Sequence, residues 1–156
     1  MEKNNNLLNS LGLTKSFERS LIMPDRIYDI ICQFSQQLKD IMGSQLIKVI
    51  VYGSYARGDF NSKSDVDVMI LVKMSDSEIK KIENQVYDLA FDIEMDTGID
   101  IYPIIKNENQ YEYWLDTLTF YKNIHEQGMV VNDEKLLNLS ERIIEKNRVA
   151  YVELSK

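Results

Sequence analysis

The chain has 156 residues, 25 of them acidic and 18 basic, for a net charge of −7 and a pI near 4.8. That length is one domain around one core. The acidity excludes broad binding to a nucleic-acid backbone, and with it a template-bound polymerase, since such binding replaces counterions with clustered Lys and Arg. Hydrophobic residues make up 44% and charged residues 28%, which excludes disordered and fibrous classes. Cys32 is the single cysteine, so neither an intrachain disulfide nor a thiolate zinc cluster is available.

In chain order, residues 1 to 23 read as an N-terminal arm, with Leu7, Leu8, Leu11 and Leu13 arranged for a short helix or a docked segment. Pro24-Asp25 opens a stronger helix. Ile27, Ile30, Ile31, Phe34, Leu38 and Ile41 recur at three-and-four spacing, Gly43 stops it, and Cys32 belongs to its apolar side. The β-branched run Leu46 to Tyr52, bounded by Gly43-Ser44 and Gly53-Ser54, reads as a buried strand. A second strand follows over Asp65 to Lys73. Ser75 and Glu78 form a capping box for a helix over 75 to 97, with Ile79, Ile82, Val86, Leu89, Ala90 and Ile93 as its apolar stripe and Gly98 as its stop.

Ile99 to Ile105 is a third strand, and Pro103 marks it as an edge or a strand end. Residues 107 to 128 predict two short helices leading to a small strand at Met129-Val130-Val131. Tyr111, Tyr113, Trp114, Phe120 and Tyr121 are expected mainly in the core, with a remainder lining a pocket, and His125 is expected to face solvent. Asp133 to Lys156 predicts an amphipathic tail helix that covers the core or docks a partner or a second copy of the chain. No stretch has the layout of a signal peptide or about 18 apolar residues in a row, so the chain is expected in the cytoplasm with no membrane partner.

The chemistry concentrates between residues 53 and 67. Gly53-Ser54 ends the first strand, ten residues follow, and Asp65-Val66-Asp67 enters the second. Side chains two apart on a strand leave from the same face, so Asp65 and Asp67 point together. Two carboxylates so placed raise each other's pKa unless a cation lies between them, and hard oxygen ligands select Mg2+ or Mn2+. Opposite them, Gly53 admits a phosphate close to the backbone, Ser54 offers a hydroxyl and an amide, and a helix starting here aims its positive end at an anion. Four specified residues at fixed spacing arise by chance in about one chain of this length in several hundred. The alternative is a strand-turn-strand with two solvated aspartates. No Walker-type, dinucleotide-binding Gly-x-Gly-x-x-Gly or His-Glu-x-x-His segment competes.

Gly53-Ser54-Tyr55-Ala56-Arg57-Gly58, followed by Asp65-Val66-Asp67, resembles the motif of the DNA polymerase β-like nucleotidyltransferase superfamily, most closely its minimal members, over residues 25 to 131. The resemblance implies an α+β fold: a small mixed sheet with helices packed mainly on one side, the C-terminal helix appended, all in a single domain. It implies transfer of a nucleoside monophosphate from an NTP, AMP from ATP first among them, with two Mg2+ ions and release of pyrophosphate. Asp65 and Asp67 are then metal ligands and catalytic groups, and Gly53 and Ser54 hold phosphates. The third carboxylate that the resemblance calls for falls on Asp100, in the third strand, as a further metal ligand or an acceptor of the attacking hydroxyl's proton. Arg57 takes triphosphate oxygens or the ribose side of the nucleotide, or else pairs at the surface with Asp59. Tyr55 flanks the base or the acceptor, while Lys63 and Ser64 are solvated loop residues. Many minimal members are antitoxins that neutralise a HEPN-type ribonuclease toxin, some by adenylylating it. The alternatives are a small-molecule nucleotidyltransferase of the aminoglycoside or lincosamide kind, and a non-catalytic antitoxin that only binds.

Overall fold

The computed structural model describes residues 22–131 and Arg148. Most of the expected N-terminal arm, and the tail helix expected over 133 to 156, lie outside the described residues. The first long helix, α1 (Asp25–Met42), starts directly after Pro24 and buries Ile27, Ile30, Ile31, Phe34 and Leu38. Proline suits such a start because it has no N–H to leave unsatisfied. A 3-10 turn, Gly43–Gln45, leads into β1 (Leu46–Tyr52). The one-turn helix α2 (Ser54–Arg57) precedes β2 (Val66–Val72). Then come α3 (Asp76–Thr97), β3 (Ile101–Asn107), α4 (Glu108–Trp114), α5 (Thr119–Gln127) and β4 (Met129–Val131).

The capping box at α3 forms as the sequence predicts. Ser75 Oγ accepts from Glu78 N at 3.3 Å, and the Ser75 N–H donates to Glu78 Oε2 at 2.8 Å, so two N–H groups at the helix start are satisfied reciprocally. At the other end Gly98 takes the left-handed conformation, φ 75°. Thr97 Oγ1 there donates to Ile93 O and accepts from Ile99 N at 3.2 Å. These bonds fix the short link that delivers Asp100 to the start of β3.

The sheet order is β3-β2-β1-β4. β1 is antiparallel to both β2 and β4, and β2 is parallel to β3, which makes the sheet mixed. Pro103 therefore sits in an edge strand, where its missing donor costs no ladder bond if it faces outward. The α3 crossover between β2 and β3 is what a parallel pair requires.

The strands present two different faces. On one, Val49 and Val51 of β1, Val66, Val68, Ile70 and Val72 of β2, and Ile101 and Ile105 of β3 pack with α1 and α3 in the main core. Val66, Val68, Ile70 and Val72 have no exposed surface, and each such side chain stabilises the fold by about 1.5–3 kcal/mol through burial. The opposite face carries a smaller cluster of Ile50, Met69, Leu71, Tyr111 and Ile124 under α4 and α5. The two long helices thus lie on one side, and the two short ones cover part of the other. Cys32 is half-buried against the main core. Among the described residues, no helix is long and apolar enough to cross a membrane.

The aromatic run divides more evenly than the sequence predicts. Tyr111 is buried, but Tyr113 is 73% exposed, Trp114 40% and Phe120 47%. Helices of about two turns have room to bury only one side, and α4 commits Tyr111 to that side.

Candidate active site

The face under α4 and α5 is incompletely covered at the end where β1 finishes and β2 begins. The register pairs Tyr52 with Asp67 across β1 and β2, and Asp67 with Tyr102 across β2 and β3. All three side chains leave from the face opposite the main core, because their neighbours Val51, Val66, Val68 and Ile101 point into it. The Asp65-x-Asp67 spacing therefore works as the alternation predicts. Val66 faces inward, and the aspartates face out.

Gly53 adopts φ 75°, ψ −150°, a region open essentially to glycine alone. A Cβ there would collide with Asp67 Oδ2, so the backbone of the turn rests directly against that carboxylate. The turn is closed by Ala56 N and Arg57 N donating to Gly53 O, at 3.1 and 3.0 Å, and by Gly58 N donating to Ser54 O at 2.9 Å. Because α2 is a single turn, its macrodipole is small. What it offers is the Ser54 hydroxyl and backbone at the wall of a cavity of about 440 Å³ shared with Gly53, Arg57 and Asp67. Tyr52, Phe120, Asn123, Ile124 and Gln127 complete that wall.

Asp65 stands just before β2, exposed, at the end of a loop that holds its own shape. Asn61 Oδ1 accepts from Lys63 N at 2.8 Å, and Asn61 N donates to Ser64 Oγ at 2.9 Å. The Ser64 hydroxyl is thus engaged in the turn and Lys63 is exposed, as expected of loop residues. Val66 N donates to Asp100 O at 2.8 Å, which ties the two acidic strand ends together. Asp100 itself is exposed.

The electrostatics follow from this crowding. The Asp67 carboxyl is pushed above its usual range by burial first and by Asp65 second, with Arg57 acting in the opposite sense. Asp100 is pushed up as well, by desolvation, then by the charges of Asp65 and Glu94, and by a hydrogen bond with the Asp65 side chain. Asp65 is therefore common to both pairs. The Tyr52 hydroxyl is pushed up to about 12 by burial, Asp67 and Tyr102, and stays protonated at neutral pH. Among the described residues, no three His, Cys, Asp or Glu side chains converge closely enough to hold an ion as they stand. The donor set is nonetheless all hard oxygen, and each carboxylate raises its neighbour's affinity for a positive charge. That chemistry fits a divalent cation of the Mg2+ type.

The structure brings Gly53, Ser54, Arg57 and Asp67 into one cavity, with Asp65 near Asp67 and Asp100 near Asp65 rather than in the cavity wall. Arg57 makes an exposed ion pair with Asp59, Nε to Oδ2 at 3.4 Å, which is the second of the two expectations for it, while its side chain also lines the cavity. Tyr55 departs from expectation. It is 5% exposed, belongs to the main core, and stacks on Phe60 with ring centroids 4.7 Å apart. Ser54 and Arg57, three apart on a helical turn, share the cavity side, which sends Tyr55 inward. His125 is exposed, as expected.

Phe120 is the member of the aromatic run that lines this cavity, whereas Tyr52, Tyr102, Asn123 and Gln127 are not singled out by the sequence. Tyr52 was within reach, since it follows Ile50 on the face of β1 opposite Val51. Phe120, Asn123 and Gln127 share one side of a helix by spacing, but only tertiary packing brings that side over Gly53.

A model described as a nucleotidyltransferase domain matches residues 31–152. The chain belongs to this family, and its activity is nucleotidyl transfer. Two proteins of Methanocaldococcus jannaschii, each named "Putative protein adenylyltransferase", are similar to it. One is 43% identical over 72 residues, 43% of this chain and 72% of the relative. The other is 30% identical over 99 residues, 64% and 91% respectively. A crystal structure of "a putative nucleotidyltransferase" from Sulfolobus solfataricus aligns with 64% of this chain and 80% of its own at 17% identity, with a TM-score of 0.45.

Proposed function

We propose that the chain moves AMP from ATP, with Mg2+, to a hydroxyl of a partner protein, and that it serves in this way as the antitoxin of a HEPN-type toxin. The observation that carries the catalytic half is the contact of the Gly53 backbone with Asp67, with Asp65 and Asp100 grouped beyond it. Gly53, Ser54 and one metal-type ligand, Asp67, thereby line a single cavity, with Asp65 close to Asp67 and Asp100 close to Asp65. The names of the archaeal relatives support AMP as the group moved and a protein as the acceptor. The toxin as partner rests on the resemblance of the Gly53 to Asp67 motif to antitoxin-type members.

Gly53 and Ser54 hold the β- and γ-phosphates by backbone approach and hydroxyl contact, and Arg57 pairs with the triphosphate from the same wall. Asp65 and Asp67, joined by Asp100, would hold the divalent ions. When bound, these supply neutralisation of the charge on the transferring phosphoryl group and alignment of the two oxygens. The acceptor oxygen attacks the α-phosphorus as the bond to pyrophosphate breaks, and Asp100 takes the hydroxyl proton. Tyr52, held neutral, stands beside Asp67 without adding charge.

The test is incubation with each α-labelled NTP and Mg2+, alone and with the product of the adjacent reading frame. Label on the partner from ATP is the expected result, lost when Asp65 and Asp67 are both changed to Asn. Neutralisation of the co-expressed partner by that double variant would instead make the antitoxin a binding module, and label on kanamycin would make it a drug-modifying enzyme.

A further inference from the structure

A second cavity, of about 470 Å³, lies on the far side of the carboxylates from the nucleotide cavity. It runs as a groove between α3 and β3, from Lys106 at one end to Asp100 at the other. Because β3 is the edge strand, its outer backbone groups line this groove. Val66 N bonds to Asp100 O in a parallel ladder that pairs Val66 with Ile101. In that pattern Asp100, Tyr102 and Ile104 turn their backbone groups toward β2, while Ile101, Pro103 and Ile105 turn theirs outward. Pro103 has no N–H, so the middle of the open edge presents carbonyl oxygen and no donor. Among the described residues, nothing pairs with this edge.

The side chains repeat the bias. Glu83, Glu94 and Asp100 face the groove against Lys106 alone. Between the charges lie the apolar surfaces of Tyr87, 45% exposed, Phe91, 58%, and Tyr102, 59%. A surface of carboxylates, outward carbonyls and aromatic rings is complementary to arginine or lysine, whose stems lie on the rings while their heads meet the carboxylates. From Glu83 to Glu94 is eleven residues of helix, about 16 Å, the length of about five residues of extended chain.

We propose that this groove is the acceptor site: it takes an extended, arginine- or lysine-bearing segment of the substrate protein along the open edge of β3 and presents that segment's hydroxyl beside Asp100. The proposal rests on the nucleotidyl-transfer reading above and names the class of acceptor. Its placement meets a requirement of in-line displacement. The nucleotide cavity lies on the β1 side of Asp65 and Asp67 and the groove on the β3 side, so acceptor and departing pyrophosphate approach from opposite directions. The acceptor O–H loses its proton to Asp100, a new O–P bond forms at the α-phosphorus, and the P–O bond to pyrophosphate breaks.

The experiment uses the full chain, Mg2+ and α-labelled ATP with three probes: an arginine-rich peptide carrying one tyrosine, its glutamate-rich counterpart, and kanamycin. It is run with the wild type and with E83K/F91S, whose positions lie outside the catalytic set and whose integrity is checked by thermal melting. Pyrophosphate release with water as the only acceptor, which leaves AMP, reports the donor half separately. The expected result is labelling of the arginine-rich peptide at least tenfold faster than its counterpart. E83K/F91S should lose that preference with pyrophosphate release to water unchanged. Equal labelling of both peptides, equal labelling by the variant, or labelling of kanamycin alone overturns the proposal. If the wild type labels none of the probes and releases no pyrophosphate, the transfer reading fails instead. Fluorescence anisotropy of the labelled peptides then decides the groove, where binding of the basic peptide that E83K/F91S does not weaken, or no binding at all, overturns it.

Discussion

The two faces of β2 carry one chain segment and obey opposite rules. Val66, Val68, Ile70 and Val72 point into the core and have no exposed surface, whereas Asp67, interleaved with them, lines a cavity where burial and the nearby charge of Asp65 make its own ionisation costly. Stability is made on one face and spent on the other, a division possible because a strand reverses direction at every residue. The largest expected effect tests this division directly. Val68→Asp places an unpaired charge in the core and should cost about 4 kcal/mol or more, unfolding the protein in a thermal melt. Asp67→Asn, one residue away, should leave the fold intact while lowering label transfer from ATP by about 10²- to 10³-fold. A folded Val68→Asp variant, or one at Asp67 that melts as readily, would erase the distinction.

Two turns give a second, smaller contrast. Gly53 occupies a backbone region that other residues reach only under strain, and its missing Cβ is the space Asp67 needs. Gly53→Ala should therefore cost about 1–3 kcal/mol of stability, and should also reduce transfer to near the level of the Asp67 variant because the carboxylate is displaced. Ser75 serves only the start of α3. Ser75→Ala should lower stability by about 1 kcal/mol with kcat/KM unchanged. Melting and steady-state labelling on the same samples separate the two patterns, and a Gly53→Ala variant with full activity would remove the close approach from the site.

How far these features were legible depends on the range of the interactions that make them. The β2 alternation, the capping box of Ser75 and Glu78, and the glycine before Ser54 are local, and their patterns are written within a few residues. Pro103 announced an edge strand because a missing N–H is incompatible with a central one. Tyr55 shows where local reading needed one more step: the phase of a single helical turn, with Ser54 and Arg57 on the cavity side, already sends it into the core. The sequence places some of the aromatic run at a pocket without saying which, and the wall that Asn123 and Gln127 complete beside Phe120, like the groove between α3 and β3, was not legible. Both arise where elements distant in sequence meet, and the aromatic residues involved have the same composition signal as core residues.

The smallest expected effect concerns pH, and here two carboxylates oppose one another. Asp67 is held above its ordinary value near 3.8, so the folded state keeps its proton more tightly than the unfolded chain. Its ionisation therefore opposes folding. The penalty is absent below the unfolded value and grows as pH rises through the folded one. Glu78 is held below its ordinary value near 4.5 by the hydrogen bonds of the capping box, from the Ser75 backbone first and its side chain second. Its ionisation favours folding. That contribution is present above the unfolded value and disappears as pH falls through the folded one. Melting curves from pH 3 to 8 should show Asp67→Asn equal to the wild type in acid and more stable than it at neutral pH, whereas Glu78→Gln should match in acid and fall below it at neutral pH. Adding Mg2+ should raise the melting temperature of the wild type at neutral pH, since an ion that binds only the folded state stabilises it, and should do so far less for Asp67→Asn. A neutral-pH loss of stability at Asp67→Asn would mean that this carboxylate is built for the fold, as Glu78 is, and the two faces of β2 would no longer differ in kind.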